Sequence, residues 1–92
     1  MEDEFIQQME NDFIPRMEKM LADEIKHKEF MVTTKKMIDD NWRYYTKSLF
    51  QFFKNGYFND KKYDQYLERS NSMIEHLQIR IKEYKQYVIL NK

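Results

Sequence analysis

Glu24-Ile25-Lys26-His27 is the first stretch whose residue types could do chemistry. A glutamate three places before a histidine shares its helical face, the spacing used by helical di-iron proteins. Such a site needs two of these pairs and two further inward glutamates. The other histidine, His76, has Met73 three places before it, so the second pair is missing. A solvated histidine is the better reading, and neither a metal nor any other cofactor is expected. Asp39 and Asp40 are adjacent, so on a helix they point in different directions; they suit capping better than paired catalysis. No HExxH, phosphate loop or nucleophile–base pattern appears. Cysteine is absent, which removes thiolate chemistry and disulfides. The chain is expected to bind rather than to catalyse.

Two kinds of binding surface present themselves. Arg43, Lys47, Phe50 and Lys54 follow at steps of four, three and four, a basic stripe with one aromatic. Lys61, Lys62 and Arg69 lie just beyond. Phosphate neutralisation with an aromatic for stacking is a physical route to nucleic acid. Against it, formal net charge is zero and no known nucleic-acid module is present. A solvated face whose aliphatic stems cover apolar surface would look the same.

The second surface is aromatic. Ten of the fifteen aromatics fall between Ile38 and Tyr66. On a helical wheel Tyr44 lies almost opposite Trp42, and Phe50 well to its side. Tyr and Phe exposed beside Arg is the composition of protein-interface hot spots. The expected protein-docking residues are therefore Arg43, Tyr44, Lys47, Phe50, Lys54 and Tyr57. The nucleic-acid alternative uses Arg43, Lys47, Lys54, Lys61, Lys62 and Arg69. Phosphate mimicry by the acids from Glu2 to Glu24 is a weaker idea, because Arg16 and Lys19 interrupt the negative field.

The elements that must position these residues read as helices throughout. Phe5, Ile6, Met9 and Phe13 make an apolar stripe on a short helix over 2–11. Pro15 disfavours helical geometry at Ile14, so a break or kink is expected near 11–14. A second helix over 13–32 has Ile14, Met17, Leu21, Ile25 and Val32 as its stripe, with Met20 and Met31 alongside. Thr33-Thr34 weaken it, and Asp39-Asp40 could cap a third helix over 38–54. One continuous helix over 13–54 is the open alternative. Within it Ile38, Trp42, Tyr45, Leu49 and Phe52 alternate by four and three.

The chain's only glycine, Gly56, is expected to end that helix at positive φ, with Phe52 meeting Tyr57. Asn59 should cap the last helix, over 60–90, with Phe58 and Tyr63 as its staple. That helix keeps a strict alternation at Tyr63, Leu67, Ser70, Ile74, Leu77, Ile81, Tyr84 and Val88, a coiled-coil-like seam. Tyr66, Met73 and Tyr87 would widen its apolar face. Ile79 lies off the seam, and Tyr87-Val88-Ile89-Leu90 is apolar all round. The first helix should fold over that end, its acids meeting Arg80, Lys82, Lys85 and Lys92. Ile79, Tyr87, Ile89 and Leu90 are the expected self-association contacts of a homodimer.

At ninety-two residues the chain is one domain at most. The fold class is all-α: an antiparallel helical hairpin, or a small bundle of three to four helices, with a long C-terminal coiled-coil-like helix. Residues 1–40 hold eleven acids and six bases, a charge of −5, and residues 41–92 hold five and ten, a charge of +5. No apolar run is long enough for a bilayer and the start is acidic, so no membrane partner and a cytoplasmic location are expected. Lys-, Ile-, Asn-, Phe- and Tyr-rich composition matches AT-rich codons. Together with the small size, it fits a phage or mobile-element accessory protein that docks on a larger host protein and inhibits it. An anti-CRISPR-like inhibitor of a defence nuclease, acting in the host cytoplasm, is one concrete version.

Overall fold

The structure is a computed structural model that describes residues 2–56 and 58–92, and the side chains of all of these except Glu2 and Trp42. It is all-α, with no strand among the described residues. Helix α1 (Glu2–Gln8) runs into a π-helical turn (Met9–Phe13), followed by the long α2 (Ile14–Asn41). A 3-10 turn (Trp42–Tyr44), the short α3 (Lys47–Asn55) and the long α4 (Asp60–Leu90) complete the chain.

Of the break or kink expected near 11–14 there is no break: Pro15 follows a π-helical turn over Met9–Phe13. It has no N–H and its ring crowds the carbonyl four residues back. The helix responds by widening: the Ile14 N–H bonds to the Met9 carbonyl, five residues back, and the ladder continues. Insertion of a π turn bends a helix without interrupting it.

The break expected around Thr33-Thr34 is absent, and so is the continuous helix to Lys54. Helix α2 passes through both threonines to Asn41. The interruption comes at Tyr45–Thr46. Thr46 is extended (φ −62°, ψ 154°), and its hydroxyl accepts from the Leu49 N–H at 3.2 Å. Thr46 is thus the N-cap of α3. The carboxylate of Asp39, expected as a cap, is held by lysines instead.

Contacts group the chain into two compact units, residues 1–25 with 72–92 and residues 26–71. In the first unit the α2 stretch runs antiparallel to the α4 stretch. Ile14 clusters with Val88, and Glu18 lies 3.7 Å from Lys85. Ile6 and Met9 complete that cluster, with Tyr84 packed against it. Phe5 meets Tyr87 edge-on at 6.1 Å, and Lys92 pairs with Glu10. The N-terminal helix thus covers part of the apolar C-terminal turn, as its stripe predicts. Ile89 and Leu90 stay exposed.

In the second unit α2 and α4 are antiparallel too, since His27 meets Tyr66 while Lys35 meets Tyr63 and Asp60. All eight predicted seam positions of α4 are buried or half-buried. The expected widening fails at Met73 and Tyr87, which are largely exposed. On α2 the buried or half-buried positions include Ile14, Met17, Leu21, Glu24, Lys28, Met31, Lys35 and Ile38, again alternating by three and four. The predicted apolar stripe holds at Ile14, Met17, Leu21 and Ile25, which are buried or half-buried, and fails at Val32, which is exposed while Met31 is buried. Charged residues keep the seam's period because their aliphatic stems lie along it.

Candidate protein-docking surface

Helix α3 is short and sharply two-sided. Leu49, Phe50, Phe52 and Phe53 supply its apolar side. None of its nine residues is buried. Phe52 is 72% exposed, and Tyr44, on the preceding 3-10 turn, 84%. Leu49 is also exposed, while Phe50 and Phe53 are half-buried. The ring of Phe53 meets Tyr45, Phe52 and Phe58 edge-on at 5.6, 5.9 and 6.3 Å. These contacts run along the corner itself, and such pairs contribute about 0.5–1.5 kcal/mol each beyond area burial.

The predicted alternation from Ile38 to Phe52 does not make one face. Ile38 is fully buried, whereas Leu49 and Phe52 face outward. The periodicity assumed one helix, and the interruption at Tyr45–Thr46 resets the angle between the two segments. For the same reason Arg43 does not share a helical stripe with Lys47, Phe50 and Lys54. Arg43 and Lys47 are nevertheless both exposed.

Lys54 has a different role from the free cation expected. Its Nζ donates to Asp39 at 2.6 Å and lies 3.5 Å from Asp60. Lys35 pairs with Asp39 and lies 3.0 Å from Asp60. Four alternating charges thus join α2, α3 and the start of α4. Lys35 is mostly covered, with its Nζ 5.4 Å from the centre of the Tyr63 ring. Burial alone would lower its pKa, but hydrogen bonds to Asp39 and Asp60, and their charges, hold it above the ordinary lysine range. Burial would raise Asp39, yet hydrogen bonds and charge from Lys35 and Lys54 hold it below the usual carboxylate range. Asp60 is depressed by its hydrogen bond to Lys35 and by both lysine charges. Desolvation pushes the Tyr63 phenol up, against the pull of Lys35.

The turn after α3 is built from a cap and a lysine. Asn59 Oδ1 accepts from the Lys61 and Lys62 N–H groups at 3.1 and 3.4 Å, the predicted N-cap of α4. Lys62 Nζ donates to the Asn55 carbonyl at 3.0 Å and so satisfies an orphan acceptor at the end of α3. Gly56 is not in the expected left-handed conformation: φ is −97° and ψ −146°. A Cβ there would meet only Phe52 and Phe53 carbonyl oxygens, at 3.7 and 3.8 Å. The Gly56 N–H bonds to the Phe53 carbonyl, a tightened last turn in place of the αL cap. Tyr57, and with it the expected Phe52–Tyr57 contact, lies outside the described residues.

Of the remaining candidates, Lys61 and Arg69 are exposed on α4. Ile79, Tyr87, Ile89 and Leu90 are 49%, 44%, 74% and 83% exposed. His27 Nδ1 is hydrogen-bonded to the Tyr66 hydroxyl at 2.5 Å, and the rings meet edge-on. Among the described residues no three His, Cys, Asp or Glu side chains gather as metal ligands do. No described helix is long and apolar enough to cross a membrane. The Lys35–Asp39–Lys54–Asp60 cluster escaped the sequence reading. The one signal for it is Lys35, which falls on the period of the α2 seam four residues before Asp39. Comparison with protein-family models, curated proteins and solved structures finds no match for this chain.

Proposed function

We propose that this protein works by docking on another protein, with the corner formed by the 3-10 turn and α3 as its contact surface. The observation that supports this most is the apolar side of α3, from which no residue is buried and where Phe52 and nearby Tyr44 are largely exposed. Exposed aromatics cost little conformational entropy to order and dominate interface energetics. Arg43 and Lys47 are exposed beside them, and the acids closest in the cluster, Asp39 and Asp60, are already paired with lysines. The partner should therefore offer carboxylates around an apolar pocket.

The wider reading belongs to the same proposal. A small helical bundle from an AT-rich phage or mobile element would bind and inhibit a host factor, for instance a defence nuclease, in the host cytoplasm. It would self-associate through Ile79, Tyr87, Ile89 and Leu90. The rival, nucleic-acid binding through the basic residues, loses two of its six cations to other partners: Lys54 to Asp39 and Asp60, and Lys62 to the Asn55 carbonyl.

Capture from the native host by immobilised protein separates the two. A protein partner should survive nuclease treatment and about 0.5 M salt, where exposed charges are largely screened, and should be lost with Phe52→Asp or Tyr44→Ala. Binding that vanishes with nuclease and tracks Lys47 and Arg69 instead would replace the protein reading with the nucleic-acid one.

A further inference from the structure

Helix α3 carries the proposed docking surface, yet the described residues cover it only in part. None of its nine residues is buried, so lifting it away removes little apolar surface from cover. Its described attachments are few. Lys54 bonds to Asp39 on α2 and lies near Asp60 on α4. Lys62 donates to the Asn55 carbonyl. The Phe53 ring meets Tyr45 and Phe58 at its edges. Helical geometry is interrupted on both sides, at Tyr45–Thr46 and after Asn55, which supplies two joints.

We infer that α3 is a strap that lifts as a unit from α2 and α4 within residues 26–71, and that the Lys35–Asp39–Lys54–Asp60 cluster is the clasp that holds it down. The charged and titratable groups at the clasp are Lys35 and Asp39 from α2, Lys54 from α3, and Asp60, Tyr63 and Asp64 from α4. Lys54 is the only member on the strap. Its Nζ also lies 5.9 Å from the centre of the Phe50 ring, one turn back on the same helix, so that contact travels with α3. Lifting adds half-buried Phe50 and Phe53 to Leu49 and Phe52 as available surface. Segments that bind partners are commonly those that open below the cost of global unfolding. The consequence for docking rests on the proposal above; the lifting itself does not.

Amide hydrogen exchange on the full chain at neutral pH tests it. In Lys54→Met, which keeps the stem and removes the charge, amides of residues 51–55 should exchange a few-fold faster, up to about five-fold. Those of residues 30–41 and 64–71 should keep their wild-type rates, and Lys54→Arg should restore protection. In about 1 M salt the wild type should move the same way, because screening then acts within about 3 Å. Exchange of α3 in step with α2 and α4, or an unchanged α3 in Lys54→Met, would overturn the strap. Exchange is read on the free protein, so its failure leaves the capture experiment standing, and a failed capture leaves the exchange result standing.

Discussion

The two compact units are held by different forces. Residues 1–25 with 72–92 bury Ile6, Met9, Ile14, Leu77, Ile81 and Val88, and four of these form one contiguous cluster. Residues 26–71 bury only Met31, Ile38 and Ser70 among the described residues, and add a four-charge cluster and a chain of aromatic edges. Apolar burial is non-directional, is not screened by salt and does not depend on ionisation. Ion pairs are directional, are screened by salt and depend on ionisation. The first unit is therefore held by apolar burial, and the second carries exposed rings on a helix that is fastened rather than buried.

The largest expected effect is at Ile38, the one large side chain that is fully buried among the described residues. Ile38→Ala should cost about 2–5 kcal/mol in urea unfolding, through lost transfer energy and the cavity left behind. Ile14→Ala, 6% exposed in a cluster of four, should cost toward the lower end of that range. Equal losses would mean that the first unit has more apolar cohesion around Ile14 than its burial indicates.

The next effect is one of pH. Asp39 and Asp60 have depressed pKa values, so their contribution is present above about pH 4 and is lost as pH falls through the depressed values. Lys35 is raised, so its contribution is present below about pH 10.4 and is lost as pH rises through the raised value. Asp39→Asn should lower stability by no more than about 1 kcal/mol at neutral pH, because the carboxylate is 39% exposed and screened. The variant should also flatten the acid limb of a melting-temperature profile. An unaltered acid limb would remove the cluster from any account of the second unit.

The smallest effect is at Gly56. With φ negative and ordinary van der Waals distances to a Cβ, Gly56→Ala should change stability by less than about 1 kcal/mol and in the stabilising direction, by restricting the unfolded chain. A clear loss in thermal melts would show that the left-handed cap anticipated from sequence forms in solution.

Legibility followed periodicity. The α4 seam was readable position by position, because one uninterrupted helix carries its angle from Tyr63 to Val88. The Asn59 cap was readable because it is a local hydrogen bond. The α2 seam was half hidden: Glu24, Lys28 and Lys35 occupy seam positions that a polarity scan skips. The corner was read in composition but not in geometry. Its alternation assumed a helix through Tyr45, and Thr46 competes locally for the Leu49 N–H.

The sequence by itself determined helices, their caps at Asn59, the seam of α4 and the concentration of rings around the corner, since each depends on residues no more than a few places apart. Only tertiary structure decided that Lys35 and Lys54 meet Asp39 and Asp60, and that Phe52 and Tyr44 are left outside while Ile38 is sealed. Those outcomes depend on which faces three separate helices turn toward one another. Spacing along one chain segment cannot encode that once the helix between two segments is interrupted.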